Sequence, residues 1–351
     1  MVEGMQTVVD LRSVEFPVEF TPGARNAVTT CLRIQANEKV TLITDERCLT
    51  IAASLASELD RIGCSWNAFV LENVAPRPLV EMPAVVLEDM ESSQVSIFAV
   101  EVQPNELRSR MQMTDVVNRR RMRHAHMVNI TAEIMTQGMR ADFLAIDRLS
   151  QAVLDKVRAA TYVRATTPAG TDIHAELSPQ YRWFKTSGII STEKWGNLPG
   201  GECFTAPGEV NGVFVVDGVV GDFLCARYGI LRDQPLTINI EGNRITHVSS
   251  ANKALERDFW EYTHTDENSD RVGEFAIGTN IGVERVIGNI LQDEKFPGVH
   301  IAFGDPYGAH TGAQWKSSTH IDVVGLEFNI WVGNAEGEEQ IMRDGQFLLD
   351  A

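Results

Sequence analysis

Histidine and carboxylate side chains that could bind metal lie in short apolar segments of the second half of the sequence. His320 and Asp322 are two positions apart in a β-branched run, and in a strand residues i and i+2 point to the same face. His300 lies in an apolar run, and Glu202 and Glu274 begin two further apolar segments. A lone carboxylate there is costly to bury unless it is paired or bound to metal. Singly, each residue also fits a structural role; together they make the ligand set of a two-metal hydrolase.

Four segments of the second half resemble the motifs of one known family. They occur in the order GGECFTAP, GEFAIGTN, ILQDEKFPGVHIAFGDPYG and THIDVV, and they are similar to the thermophilic aminopeptidases of the aminopeptidase T group. The resemblance covers the chain from about Tyr162 to the C-terminus and is weak before it. It implies two divalent metal ions per chain (zinc, cobalt or manganese), which carboxylate and imidazole ligands suit alike. The metal ligands that the resemblance implies are Glu202, Glu274, His300, His320 and Asp322.

The same resemblance implies catalytic roles and a reaction. Tyr307 matches the catalytic tyrosine of the family and is expected to donate a hydrogen bond to the developing oxyanion. Glu274 or Glu202 is expected to carry the proton to the leaving amine. Glu294 matches a further glutamate near the metals or belongs to a surface charge cluster. The implied reaction is hydrolysis of the N-terminal amide bond of short peptides or aminoacyl amides by a homodimer.

Two other classes of protein compete with this interpretation. His300, His320 and Asp322 alone form the two-histidine, one-carboxylate set of a mononuclear iron dioxygenase. Dihydroxypyridine ring-cleaving dioxygenases are similar to the peptidase family and use such a set, without carboxylates at the positions of Glu202 and Glu274. Both carboxylates are present here, which favours hydrolysis.

A non-catalytic binding protein is the third class, and its best support is the basic run 119–123. Such a run could bind an anion or a partner, but a solvated or salt-bridged helix end is the more common explanation. His124 and His126 also have the spacing of metal ligands. No cysteine or carboxylate accompanies them, so a structural role is expected.

The elements that must position these residues differ between the two halves. Residues 1–160 alternate strand and helix patterns, which predicts a Rossmann-like α/β scaffold domain. Neither a G-x-G-x-x-G segment nor a Walker lysine is present, so no dinucleotide is expected. Residues 161–351 predict a β-rich α+β catalytic domain that binds the metal. Helices are expected at 141–160 and 253–262.

Composition limits the function further. The 351 residues include 31 basic and 48 acidic side chains, a net charge of −17, which argues against nucleic acid and anionic membranes as partners. No two of the five cysteines form a C-x-x-C pair, and their odd number and wide spacing favour a protein of a reducing compartment. Neither a signal-peptide pattern nor an apolar run of roughly 18–20 residues is evident, so a soluble cytoplasmic protein is expected.

Overall fold

The computed structural model describes residues 9–349, which form two compact units. The first unit contains the described residues up to Phe143 together with Gly188–Gly200. The second contains Leu144–Ser187 and the described residues from Gly201 onward. The predicted domain boundary near residue 160 stays a prediction, and the units are described separately.

The strands are numbered in chain order. They are β1 (Lys39–Thr44), β2 (Ser65–Val70), β3 (Val95–Val100), β4 (Arg123–Val128), β5 (Tyr162–Thr166), β6 (Asp172–Glu176), β7 (Phe184–Thr186), β8 (Gly196–Asn197), β9 (Glu202–Thr205), β10 (Glu209–Val216), β11 (Leu236–Glu241), β12 (Arg244–Ser250), β13 (Val272–Gly278), β14 (Gly298–Gly304), β15 (His320–Val324), β16 (Asn329–Asn334), β17 (Gly337–Arg343) and β18 (Gln346–Phe347).

Most of the helices lie in the first unit. The α-helices are α1 (Thr21–Arg25), α2 (Leu49–Ile62), α3 (Leu71–Val74), α4 (Ala84–Glu91), α5 (Leu107–Arg120), α6 (Ala132–Thr136), α7 (Phe143–Ala159), α8 (Asp222–Tyr228), α9 (Lys253–Tyr262), α10 (Ile290–Asp293) and α11 (Gly308–Thr311). Short 3-10 turns occur at Leu11–Ser13, Val18–Phe20 and Gly138–Arg140, and a π-helical turn at Asn26–Cys31. The helices predicted at 141–160 and 253–262 are confirmed by α7 and α9.

A parallel sheet forms the centre of the first unit, as the alternating pattern predicted. Its strand order is β2-β1-β3-β4-β8, and every pair in it is parallel. All residues of β3 are buried, because helices cover both faces of such a sheet. Gly63 ends α2 in the left-handed conformation, with φ 79°, which glycine adopts without steric cost.

A cluster of charged residues lies at the carboxyl ends of β1 and β3, the neighbouring strands between which the strand order of this sheet reverses. Asp45 directly follows β1, and Arg77 donates to its Oδ2 at 2.8 Å and to the carbonyl oxygen of Glu101, after β3, at 2.8 Å. Arg77 also pairs with the buried Glu106. Ligands of open α/β sheets bind at this switch point, outside the carboxyl ends of the strands. In this unit a protein guanidinium occupies it.

The two histidines of β4 are buried in the first unit. His124 Nδ1 is 2.8 Å from Ser96 Oγ, and its Nε2 is 3.1 Å from His126 Nδ1. Burial lowers the pKa of His124 to about 3, so the ring stays neutral. In the neighbouring basic run, Arg119 pairs with Glu91 and Arg123 pairs with Glu38. These contacts favour the structural explanations of both motifs.

Two antiparallel sheets build the second unit. The larger has the order β12-β11-β10-β6-β5-β16-β17-β18. The smaller, called the site sheet below, has the order β15-β14-β13-β9-β7. Buried side chains of both sheets, such as Phe214 and Phe303, belong to one apolar core. The fold class predicted from the sequence, a mixed α/β chain with a β-rich second half, is confirmed. No helix within residues 9–349 is long and apolar enough to span a bilayer.

Candidate metal centre

The register of the site sheet brings the predicted ligands to one face. Residues directly opposite each other in neighbouring strands share a face, as do residues two apart in one strand. Glu274 and Asp322 both lie opposite Ala302 of β14, and His300 is two residues before Ala302. Glu202 lies opposite Gly278, and His320 lies opposite Gly304. Gly278 is four residues after Glu274 and Gly304 is two after Ala302, so these two ligands point to the same face as the others.

Small and large residues alternate between the two faces of this sheet. On the ligand face the intervening positions are Ala276, Gly278, Ala302 and Gly304, which leave room above the sheet. The opposite face carries large side chains that are fully buried in the core, among them Phe275, Ile277, Ile301, Phe303 and Val323. The apolar face fixes the orientation of each strand, because a slip of one residue would bury the ligands in the core and expose the core side chains.

His300 lies at the middle of the cluster. Its Nε2 is 3.5 Å from Oε2 of Glu202 and 3.5 Å from Oε1 of Glu274. This nitrogen is buried and has no hydrogen-bond partner within residues 9–349. A buried polar atom that aims at carboxylate oxygens without hydrogen-bonding them is what a metal-binding nitrogen requires.

His320 and Asp322 complete the face from β15. His320 Nδ1 donates to the carbonyl oxygen of Asp305 at 2.8 Å, which leaves Nε2 directed at the carboxylates. That Nε2 is 3.8 Å from Oε2 of Glu274 and 3.6 Å from Oδ1 of Asp322. The two oxygens of Glu274 therefore face two different histidines.

A short segment after α10 adds two charged residues that cover this face. Gly278 permits its approach, because a Cβ at that position would be 2.0 Å from the carbonyl oxygen of Phe296. Lys295 Nζ donates to Oε1 of Glu202 at 2.7 Å and also pairs with Glu294. Ligand atoms of Glu294, His300 and Asp322 lie within 4.8 Å of one another, as do those of Glu202, Glu274 and His300.

Sequence reasoning left Glu294 undecided and missed Lys295 and Thr186. Thr186, at the end of β7, donates its hydroxyl to Oε1 of Glu202 at 2.7 Å. Its three-residue strand has no periodic pattern by which to recognise it. The charged triplet 293–295 was the available signal, but such a triplet is more often a surface turn.

Burial and mutual attraction shift the pKa values of the side chains in this cluster. Burial would raise the pKa of Glu202, but Lys295 and His300 lower it below its usual range. Burial raises the pKa of Glu274 and raises that of Glu294 to about 8. Burial would lower the pKa of His320, yet Asp322 and Glu274 raise it to about 10. The cluster therefore attracts positive charge strongly.

Tyr307 lies at the edge of the same cluster. It follows β14 in a tight turn with a positive φ of 49°, and its backbone N–H donates to Oδ1 of Asp305 at 3.0 Å. Its ring centroid is 4.3 Å from that of His320. The side chain is 44% exposed, so the phenol can reach a molecule bound over the cluster.

These residues fit divalent metal ions. The donors are imidazole nitrogens and carboxylate oxygens, which zinc, cobalt and manganese accept. Four carboxylates, Glu202, Glu274, Glu294 and Asp322, are gathered on one face with few hydrogen-bond donors between them. Carboxylates brought together in this way out of water need cations, so the arrangement is costly for a structural role.

The comparison with protein families decides the class of the protein. The family model of the thermophilic metalloproteases (M29) matches residues 147–347, which contain the whole candidate centre. The chain belongs to this family. The resemblance seen in the sequence is thereby confirmed, and the protein is a hydrolase, a metallopeptidase, for which the family implies divalent metal.

Comparison with solved structures extends the likeness to both units. Wild-type AmpT from Thermus thermophilus matches with a TM-score of 0.66 and 17% identity, over 94% of this chain and 99% of that chain. The 2,5-dihydroxypyridine dioxygenase from Pseudomonas putida KT2440 matches with a TM-score of 0.66 and 15% identity, over 94% and 96% of the two chains. At such identities these matches show the fold alone. No curated protein sequence matches the chain.

Proposed function

We propose that this metallopeptidase is an aminopeptidase that binds two divalent ions through Glu202, Glu274, His300, His320 and Asp322. The observation that supports a pair of ions is the orientation of Glu274. Its Oε1 faces His300 at 3.5 Å and its Oε2 faces His320 at 3.8 Å, so one carboxylate can serve two neighbouring ions. Two-metal hydrolases hold their ions about 3.5–4 Å apart, a spacing that a bridging carboxylate suits.

The chain's own residues have distinct tasks in this proposal. Bound divalent ions would supply Lewis acidity, which lowers the pKa of a coordinated water to about 7 and polarises the scissile carbonyl. Glu274 or Glu202 would carry the proton from the attacking water to the leaving amine. Tyr307 donates a hydrogen bond from its phenolic hydroxyl to the oxyanion. Its ring lies 4.3 Å from that of His320, centroid to centroid.

The substrate class follows from the proposed pair of ions. One ion would hold the free α-amine of a peptide while the other polarises the scissile carbonyl, so an N-terminal residue fits the centre better than an internal peptide bond. Short peptides and aminoacyl amides are therefore the proposed substrates, and removal of one N-terminal residue at a time is the proposed outcome. The homodimer expected from the sequence stays a prediction.

The deciding experiment combines metal analysis with hydrolysis. Purified protein would be stripped with chelator, reloaded with zinc, cobalt or manganese, and assayed with a panel of aminoacyl amides and N-acetylated counterparts. We expect two ions per chain, hydrolysis of the free-amine substrates only, and loss of both metal and activity in His320→Ala and Asp322→Ala. Lys253→Met, a change at an exposed lysine of α9, is the matched control.

Other outcomes of this experiment have clear meanings. Full activity of His320→Ala or Asp322→Ala would refute the site. One iron per chain with oxygen-dependent ring cleavage would support the dioxygenase alternative instead. Hydrolysis is favoured over that alternative, because both additional carboxylates, Glu202 and Glu274, have an oxygen 3.5 Å from His300 Nε2.

A further inference from the structure

An aromatic cavity of about 660 Å³ lies in the second unit at the outer end of β7. Tyr181, Phe184 and His310, the last of them in α11, are among the residues that line it. The ring of Phe184 is 4.7 Å from that of His310, centroid to centroid. The lining residues come from three separate segments of one unit, 157–161, 177–184 and 309–310.

Two chain connections place this cavity beside the metal centre. Phe184 and Thr186 are two residues apart in β7, so they share a face and their Cα atoms are about 7 Å apart. Thr186 donates to Glu202 at the centre. On the other side, Tyr307 packs against His320, and His310 lies three residues further along the chain at the cavity.

Two arginines give the cavity a positive charge in an acidic protein. Arg158, at the end of α7, and Arg182 both line it. Neither guanidinium forms an ion pair with a carboxylate in the part of the chain that the structure describes, although Arg182 Nη2 donates to the carbonyl oxygen of Ala309 at 3.3 Å. Both arginines are exposed, so in an acidic protein they are left available beside an aromatic wall to bind an external anion.

We propose that this cavity is the subsite for the C-terminal end of a short peptide substrate. Arg158 and Arg182 bind the free α-carboxylate, and Tyr181 and Phe184 pack against the apolar or aromatic side chain beside it. An extended tripeptide measures about 10 Å, enough to reach from the metal centre into the cavity. The inference rests on the proposed function and deepens it, since it makes the enzyme selective for peptides of two to three residues with a free carboxylate.

The test compares one peptide with and without its terminal charge. The substrates are alanyl-alanyl-phenylalanine and its C-terminal amide, with the metal-loaded protein. A hydrogen bond to a charged group contributes about 1.5–3 kcal/mol, so we expect kcat/KM for the acid to exceed that for the amide by roughly 10–150-fold. Arg158→Met and Arg182→Met should raise KM for the acid about tenfold or more, which brings the ratio of the two kcat/KM values, acid to amide, close to one.

Variants and a binding measurement separate charge recognition from structural damage. Arg182 contacts the segment that follows Tyr307, so its loss could disturb catalysis, but that effect would be the same for both substrates. Arg182→Lys should restore part of the preference for the acid, and Arg257→Met, at an exposed arginine of α9, should change nothing. Calorimetric titration of the chelator-treated protein with the same two peptides measures the preference without catalysis.

Each outcome decides between the two proposals. The subsite would be overturned if the wild type showed equal kcat/KM and equal affinity for the acid and the amide. It would also be overturned if the arginine substitutions changed kcat/KM for both peptides by the same factor. Either result would leave the proposed aminopeptidase activity intact. Failure to hydrolyse either peptide with any metal would overturn the aminopeptidase. In that case the calorimetric preference for the acid, and its loss in Arg158→Met, would still decide the subsite.

Discussion

Replacement of Lys295 by methionine should cost much more stability without metal than with it. The ammonium of this lysine is buried between Glu202 and Glu294, on the face that also carries Glu274 and Asp322. Methionine has a similar length and no charge, so Lys295→Met removes the cation without opening a large cavity.

The magnitude follows from the charges on this face. In the metal-free protein this face holds few cations against four carboxyl groups, and the substitution removes the ammonium that pairs with both Glu202 and Glu294. Removal of one partner from a buried ion pair costs about 3–5 kcal/mol. With two divalent ions bound, the carboxylates have other cations, and the loss should fall to the cost of a missing hydrogen bond, about 1–3 kcal/mol.

A thermodynamic cycle converts this difference into metal affinity. If the variant loses about 2 kcal/mol more in the metal-free protein than in the loaded one, it must bind metal more tightly by about 30-fold, at 1.4 kcal/mol for each factor of ten. The sign is informative: Lys295 would then stabilise the metal-free protein and compete with the ions that replace it. A weaker affinity would mean that its main task is to orient Glu202.

Thermal unfolding with chelator and with saturating metal measures the two losses, and competition titration measures the affinity. For a unit of this size, each kcal/mol lowers the midpoint by about 2–4 °C, so the chelated variant should melt on the order of 10 °C below the chelated wild type. Lys253→Met, whose lysine is 74% exposed, should shift neither curve. Equal losses with and without metal would refute the reasoning.

Two further predictions concern Tyr307 and His124. Tyr307→Phe should lower kcat about 10²–10³-fold through the lost oxyanion hydrogen bond, with metal content and KM unchanged; a variant with normal kcat would remove Tyr307 from the mechanism. Burial lowers the pKa of His124 to about 3, so its neutral form favours the folded state above pH 6.5, and that stability is lost as the pH falls towards 3. At pH 5 the loss is about 2 kcal/mol, and denaturant titrations at pH 5 and 7.5 should show a smaller decrease for His124→Gln than for wild type. An equal decrease in both proteins would contradict the assignment of the neutral ring.

The sequence predicted the ligand set but not the way in which it is assembled. Each predicted ligand stands in an apolar run, and alternation within a strand is local information. That Glu202, Glu274 and His300 meet depends on the register of three antiparallel strands that are far apart in the chain. Register is fixed by packing on the core face, which no single segment reveals.

The basic run shows the same limit in the first unit. Composition alone could not distinguish an anion-binding site from a set of ion pairs, because the acidic partners lie elsewhere in the sequence. Arg119 pairs with Glu91 of α4, and Arg123 with Glu38 before β1. The net charge of −17 was the only indication, since it makes such partners abundant.

Lys295 and Thr186 explain why the two glutamates of the centre are not equivalent. Both donate to Oε1 of Glu202, so only Oε2, at 3.5 Å from His300 Nε2, remains directed at the ligand cluster. Within residues 9–349 neither oxygen of Glu274 has such a restraint, and each oxygen faces a different histidine. Glu202 is thus oriented to offer one oxygen and Glu274 to offer two. The two residues that sequence reasoning missed therefore create the asymmetry on which the proposal of Glu274, rather than Glu202, as the bridging carboxylate rests.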